Sequence, residues 1–350
     1  MSRPDVTVVG LGLAGSLTSL RLAELGFNVV AYERAPLYSK PCGEQLTLDP
    51  IASKVANEFD VVKTVVDRVE VFIDGRYVTT VDMRPNSKWA IIDKPRLVMT
   101  LREQALGHGV TIVRGAWNGK AEGLTIDSRG PYAGSYDDEV LAVRVLSKVK
   151  SWDPGLAWLD FRPGEGGLYW VFPYDDSGKI VNAGAGFIGL KDARRVQGLT
   201  ERYLRSRVDD NEEPLEVKGA PIDITSRPTL ERGGLIKVGE AAGLVMAWSG
   251  EGNRPAILSA EYLARAVGAA WDDRASIIEE YSRLASELMA TAILSRLMAR
   301  ISLKSKALGR LLERMPHWTW ERYVKQELTL KDLLRAIPEG AKGASKGQSS

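Results

Sequence analysis

Three spaced glycines near the start constrain this chain more than any other feature. Val6-Thr7-Val8-Val9 is a short apolar strand, Gly10-Leu11-Gly12-Leu13-Ala14-Gly15 follows it, and a helical pattern continues to about Leu25. Gly26 ends that helix, and Phe27 to Tyr32 reads as a second strand closed by Glu33. Strand, Gly-x-Gly-x-x-Gly turn, helix and strand within about 30 residues form a βαβ unit, which demands a parallel sheet. Gly10 permits the tight turn, Gly12 lets backbone approach a pyrophosphate, and Gly15 lets the helix close on the strand. The helix N-terminus then offers free N–H groups and a positive dipole end to phosphates. Glu33 lies 18 residues past Gly15, where a carboxylate can accept both ribose hydroxyls. A tight turn without a ligand is the competing reading, and the motif does not choose between FAD and NAD.

Composition narrows the function classes. The 350 residues predict about two domains. Forty-seven basic residues against 45 acidic ones leave a net charge of +2, so bulk charge does not argue for a nucleic-acid partner. One cysteine, Cys42, excludes an intrachain disulfide and fits a reducing compartment. His108 and His317 are the two histidines, in a turn and after a proline, so no metal site is expected. The apolar N-terminus reads as strand, turn and helix and does not resemble a signal peptide. No window reaches the roughly 18 apolar residues that span a bilayer. The expected location is the cytoplasm, or the inner face of the cell membrane as a peripheral protein.

Further along, residues 34–48 read as a loop carrying Lys40-Pro41-Cys42-Gly43-Glu44, and Val69 to Met83 alternates around Asp74-Gly75 as a hairpin. Lys94 to Leu106 has helical spacing, and Val110–Val113 and Leu124–Asp127 return to strand. Leu141–Lys150, Leu156–Phe161, Leu168–Phe172 and Ile180–Phe187 form a β-rich block, with an amphipathic helix near Arg194–Val208. Leu235–Val238 is a late strand ending in Gly239-Glu240-Ala241-Ala242-Gly243, and the sequence past Gly252 is almost wholly helical to about Ile337.

Three of these segments, with the opening, resemble the geranylgeranyl reductase family, within the para-hydroxybenzoate-hydroxylase-like flavoproteins. They are Pro41-Cys42-Gly43-Glu44; Trp170-Val171-Phe172-Pro173 with Asn182-Ala183-Gly184-Ala185-Gly186; and Val238-Gly239-Glu240-Ala241-Ala242-Gly243 through Gly250-Glu251-Gly252. Asp127-Ser128-Arg129-Gly130-Pro131 is similar to the motif that ends the flavin domain's inner strand. The match runs over roughly residues 5–265. Leu168 stands where the family has Tyr, with Tyr169 displaced by one; Glu240 replaces Asp, Ala247 Pro, Asn253 Ile, and Lys94 Arg.

The resemblance implies an α/β protein: a Rossmann-like FAD-binding domain (1–65, 88–138 and 232–270) interleaved with an antiparallel β-sheet substrate domain (66–87 and 139–231), then C-terminal helices (271–337) and a disordered tail (338–350). It implies FAD as cofactor, with Ala14, Glu33, Cys42, Gly43, Lys94, Glu240, Gly252 and Asn253 beside it. Gly10, Gly12, Gly15 and Gly250 join them from the two glycine turns, and Ala116 lines the adenine. The implied activity is saturation of C=C bonds in the geranylgeranyl chains of isoprenoid lipids or their precursors. Such a bond has no carbonyl to polarise it, so it needs hydride from reduced flavin N5 and a proton from the protein or water. Cys42 is the expected donor, or a small residue filling space beside the ring; Tyr169 is a second candidate. Trp170, Phe172 and Trp248 are assigned to a wall between flavin and an apolar tunnel.

A chain of about 20 carbons gains roughly 15 kcal/mol on entering lipid, so the substrate must be collected at a bilayer. Residues 289–314 offer a surface for it: Ile293, Leu297, Met298, Ile301 and Leu308 among Arg296, Arg300, Lys304, Lys306, Arg310 and Arg314, with Glu313 opposing. The same segment also reads as an ordinary helix packed on the core. The electron donor is expected to be NAD(P)H or a ferredoxin-like protein. Two rival readings are a flavin monooxygenase or halogenase of the same fold, and a flavoprotein that binds prenyl lipid without catalysis.

Overall fold

The computed structural model describes residues 5–86, 88–120, 123–133, 139–208, 214–224, 227–302 and 311–336. The tail from Pro338 lies outside them. The opening βαβ unit forms as the glycine turn dictates: β1 (Val6–Val9), α1 (Leu13–Glu24) and β2 (Val29–Glu33). Both strands belong to a six-stranded sheet completed by β8 (Thr111–Arg114), β9 (Leu124–Asp127), β15 (Glu231–Arg232) and β16 (Leu235–Lys237). Its order is β15-β16-β9-β1-β2-β8, parallel throughout except at the β15 edge. α1 is buried over nearly its whole circumference. It therefore carries Ser16, Thr18 and Ser19, whose hydroxyls return to carbonyls of Leu11, Ala14 and Gly15. α3 (Lys94–Gly107) and α5 (Asn253–Ala270) pack against α1.

The second layer is a seven-stranded sheet in the order β14-β10-β13-β12-β11-β5-β6. Its strands are β5 (Arg68–Ile73), β6 (Arg76–Asp82), β10 (Glu139–Lys148), β11 (Leu156–Arg162), β12 (Gly167–Pro173), β13 (Ile180–Phe187) and β14 (Pro214–Asp223). All neighbours are antiparallel except β11 and β5. One face carries Val143, Tyr169, Val171, Ala183 and Ala185, covered by α4 (Ala193–Arg207). The other carries Leu168, Trp170 and Phe172 and faces the first layer across a cavity.

Five elements escaped the sequence reading. β3 (Gln45–Thr47), β4 (Val62–Val66) and β7 (Trp89–Ile92) form a small antiparallel sheet, ordered β3-β7-β4, that bridges the two layers. α2 (Pro50–Glu58) lies between β3 and β4, started by Asp49, whose carboxylate accepts from Ile51 and Ala52 N–H. β14 lies beyond the four strands read in the β-rich block. At the C-terminal end come α6 (Arg274–Leu284), α7 (Ser286–Ser302) and α8 (His317–Val324). Among the described residues, no helix is long and apolar enough to cross a membrane.

Candidate functional site

The two layers enclose a cavity of about 1130 Å³. Single small-molecule sites occupy roughly 300–1,000 Å³, so a dinucleotide and a second ligand can share this one. One end is built by the opening turn. Gly10 has φ +93°, and a Cβ there would meet Ser128 O at 2.9 Å. A Cβ on Gly15 would stand 1.9 Å from Gly10 O, so Gly15 serves helix closure and does not line the cavity. A Cβ on Gly12 meets nothing within 4 Å. Gly12 is thus the residue that leaves backbone open to a ligand, and it is the N-cap of α1 with no side chain capping it.

Glu33 closes this end. Its Oε2 accepts from Leu11 N–H at 2.7 Å and from Arg102 at 3.3 Å, and Oε1 accepts from Ala35 N–H at 2.9 Å. The carboxylate is therefore fixed against the glycine turn, on the cavity wall that also includes Ala116. Arg102 is a buried partner that the sequence reading passed over. It also donates to the carbonyls of Leu11, Ala35 and Pro36, and burial draws its pKa down despite Glu33. Ser128 pins the turn from the other side, donating to Val9 O and Gly10 O.

The second glycine turn faces the first. Gly239 packs on α1, where a Cβ would meet that of Ala14 at 3.0 Å. Glu240 accepts from Asp223 N–H at 2.9 Å and from Lys40 Nζ at 2.6 Å. Gly252, the N-cap of α5, again lacks a side-chain cap. Two helix N-termini that begin at a glycine thus meet one cavity, α1 with no side-chain cap and α5 with Arg254 N–H already held by Glu251 Oε1 at 2.8 Å; both dipole ends favour anionic ligand groups. Gly250 and Asn253 lie in the wall, and the Asn253 amide donates to Gln45 O, tying α5 to β3.

Cys42 and Gly43 sit between these turns. Cys42 Sγ accepts from Glu44 N–H at 3.2 Å, with Lys94 Nζ at 3.7 Å. Burial works against the Lys94 charge, yet Cys42, Tyr38 and Glu240 outweigh it and hold its pKa above the ordinary lysine range. The site therefore keeps a permanent cation beside the sulfur. Asn182, fully buried, donates to Cys42 O at 3.1 Å and accepts from Trp170 Nε1 at 3.2 Å. Glu44, two residues past Cys42, is also buried and is held by Lys63 at 2.7 Å and Arg144 at 2.9 Å. The Cys42 loop is consequently clamped at both ends.

The remaining wall is aromatic. Trp170 and Phe172 line the cavity, Trp89 meets Phe172 edge to face at 6.1 Å, and Trp248 packs on Phe161, Trp320 and Tyr323. Thr291, Leu294, Ser295 and Met298 of α7 extend this end. Gly184 is explained here: a Cβ on it would stand 2.0 Å from the Trp170 ring, so its glycine makes room for the indole.

Tyr169 and Arg296 depart from expectation. Tyr169 is not in the cavity. Side chains alternate along β12, so with Trp170 inward Tyr169 faces α4, stacked on Tyr203 at 4.3 Å under Arg162. It cannot supply a proton to a ligand in this site. Of the basic surface expected at 289–314, one residue departs while Arg300 and Arg314 are exposed. Arg296 is 6% exposed and turned into the core, donating to Ala292 O, and burial pulls its pKa to about 10. Lys304, Lys306, Leu308 and Arg310 lie outside the described residues. Among those described, no group of three or more His, Cys, Asp or Glu is placed to hold a metal.

No protein-family model matches the chain. A curated relative, the chloroplastic geranylgeranyl diphosphate reductase of Oryza sativa subsp. japonica, is 26% identical, over 79% of this chain and 69% of that protein. The structure of a geranylgeranyl bacteriochlorophyll reductase-like protein from Thermoplasma acidophilum matches with TM-score 0.73 at 18% identity, over 98% of each chain. A flavin-dependent brominase matches with TM-score 0.65 at 13% identity, over 96% of this chain and 93% of the brominase. A probable FAD-dependent monooxygenase from Pseudomonas aeruginosa gives 0.63 at 16%, over 87% and 98%. The chain carries the fold of these flavin-dependent enzymes, and within that fold its sequence resembles the geranylgeranyl reductases.

Proposed function

We propose that the chain is an FAD-dependent reductase that saturates C=C bonds in geranylgeranyl chains of isoprenoid lipids or their precursors. The observation that carries this reading is the continuity of one cavity. It runs from two helix N-termini that begin at glycines, past Cys42, into an aromatic and aliphatic end. The sequence likeness to a geranylgeranyl diphosphate reductase supports the choice of substrate class. FAD fits the residues present: Gly12 leaves room for a pyrophosphate, Glu33 faces the ribose position, and Glu240 and Gly252 await the ribityl chain and flavin edge.

When bound and reduced, the flavin supplies a hydride. The chain's own tasks are to hold, orient and keep dry. The α5 N-terminus and the Lys94 ammonium both favour negative charge at the reacting end. Trp170 and Phe172, locked by Asn182 and Trp89, set the position of a prenyl segment against the flavin edge and exclude water. Cys42 Sγ, which lies on this cavity with the Lys94 ammonium beside it, is the side chain assigned to give the proton, and solvent restores it between turnovers. With one dinucleotide turn, taken by FAD, the electrons arrive from transiently bound NAD(P)H or from a ferredoxin-like protein.

The test is product analysis. Under argon, with a chemical reductant and a geranylgeranyl lipid, the account expects the lipid to gain hydrogen pairs. A product that forms only in air, carrying oxygen or halogen, would place the chain with the monooxygenases or halogenases. Lipid binding without any product would make it a non-catalytic carrier.

A further inference from the structure

The Gly250-Glu251-Gly252 turn carries a carboxyl that the reductase reading does not use. Glu251 lines the cavity, 8% exposed, immediately before Gly252, the N-cap of α5. Its Oε1 accepts from Arg254 N–H at 2.8 Å. Pro255 follows with no N–H, and Ala256 N–H returns to Gly252 O. The Glu251 carboxyl therefore sits at the dipole end that a ligand's negative charge would also use. Its Oε2 accepts from Gln326 Nε2 at 3.0 Å, and Gln326 reaches it from a left-handed backbone, φ +57°. A non-glycine residue keeps that conformation only where its surroundings fix it.

Among the described residues, the charged and titratable groups around Glu251 come from three elements. Arg254 of α5 faces it, but that guanidinium is bound to Asp49 Oδ2 at 2.6 Å and to Gln326 Oε1 at 3.4 Å. Asp49, the N-cap of α2, adds a like charge, and Tyr323 comes from α8. Burial is the largest influence on the carboxyl and raises its pKa, against Gln326 and Arg254. Reduced flavin carries a negative charge on its N1 edge, and in the FAD placement proposed above that edge meets Gly252. Two negative charges at one buried helix terminus raise the carboxyl's affinity for a proton further.

We propose that Glu251 takes up one proton each time flavin in this cavity is reduced, and releases it when the flavin is reoxidised. Oxidised flavin gains two electrons from the donor and one proton at N5, and becomes an anion. The Glu251 carboxylate gains a second proton and becomes a neutral acid. On reoxidation the hydride leaves N5 and the carboxyl proton returns to solvent, so this buried end keeps one net charge throughout. The proposal rests on the FAD placement above and not on the identity of the substrate.

The test is the pH dependence of the flavin midpoint potential in FAD-loaded protein, titrated under argon with dithionite against a reference dye. Each proton taken up with a two-electron reduction makes reduction tenfold less favourable per pH unit, which is about 30 mV. From about pH 7 upward, the wild-type potential is expected to fall by about 60 mV per pH unit and that of Glu251→Gln by about 30 mV. Asp49→Asn keeps an N-cap for α2 and removes the other carboxylate near Arg254, and it is expected to follow wild type. The infrared difference spectrum of wild type, reduced minus oxidised, should gain a carboxylic-acid C=O band that shifts in heavy water, which reads the proton without any variant. Equal slopes in wild type and Glu251→Gln, a slope lost in Asp49→Asn instead, or no new carboxyl band overturns the proposal. A wild type that holds no FAD overturns the flavin reading and the proposal together. Bound flavin with the steeper wild-type slope and no saturation of a geranylgeranyl lipid supports the proposal and strikes the reductase reading alone.

Discussion

Replacing Gly184 with alanine tests the construction of the reactive wall. The added Cβ would lie 2.0 Å from Trp170 Cζ2, whereas carbon atoms rest about 3.5–4.0 Å apart, so the indole must retreat by about 1.5 Å or more. Gly184 is paired with Trp170 across β12 and β13, and the only open direction for the ring is into the cavity. Retreat also breaks the 3.2 Å bond from Trp170 Nε1 to Asn182 and leaves a fully buried amide oxygen without that donor. Overpacking strain and the orphaned group together cost about 2–4 kcal/mol. For a chain of this size that is a fall in Tm of about 3–5 °C in calorimetry. Displacing a positioning wall by more than 1 Å costs about 10²-fold in turnover, while ADP, which needs only the nucleotide half, binds as to wild type. Trp170→Leu should remove the clash, so Gly184→Ala adds little further loss in that background. Equal destabilisation in both backgrounds would refute the steric argument.

Other outcomes follow from the same geometry. Tyr169→Phe retains turnover within about twofold, because the ring faces α4; a loss near 10²-fold would return Tyr169 to the reacting groups. Glu33→Leu removes the acceptor of Leu11 and Ala35 N–H and the partner of Arg102, and isothermal titration should show FAD affinity down by about 10- to 100-fold; unchanged affinity would contradict the ribose assignment. Burial raises the pKa of Glu251 despite its bonds to Gln326 and Arg254. The folded chain thus holds this proton to higher pH than the unfolded one. Its stabilising contribution is complete below the unfolded value of about 4.3 and is lost as pH rises through the native pKa. The Tm of wild type relative to Glu251→Gln should therefore decline as pH rises from about 4.3, and a pH-independent difference would show that burial does not perturb this carboxyl.

Much of the nucleotide half was legible because backbone chemistry writes itself into sequence. Gly10 and Gly15 each answer a steric demand that few other residues meet, Gly12 keeps the turn open between them, and Glu33 ends the strand that pairs with β1. The reacting half was less legible. Tyr169 and Trp170 are adjacent, and only the strand's facing decides which of them enters the cavity, so a displacement of one residue exchanges a candidate acid for a wall. Asn182 acts on Trp170 12 residues away and on Cys42 140 away, Arg102 on Leu11 and Glu33 across 91 and 69, and Arg144 on Glu44 across 100, and no local pattern announces such pairs. Arg296 looked like part of a basic surface because helical spacing locates a face but not what that face packs against. β3, β4 and β7 are three to five residues long, short enough to pass for loop until β7 pairs with both neighbours.

The central claim is that this cavity brings reduced flavin against a prenyl double bond, and a single anaerobic turnover tests it most directly. Protein loaded with FAD and reduced to the colourless state is mixed with a geranylgeranyl lipid in the absence of oxygen. The account predicts that the oxidised flavin absorbance returns, with one double bond saturated for each flavin reoxidised, and that Cys42→Ser slows this return without changing its extent. Flavin that stays reduced until air is admitted, with the lipid unaltered, would contradict the account.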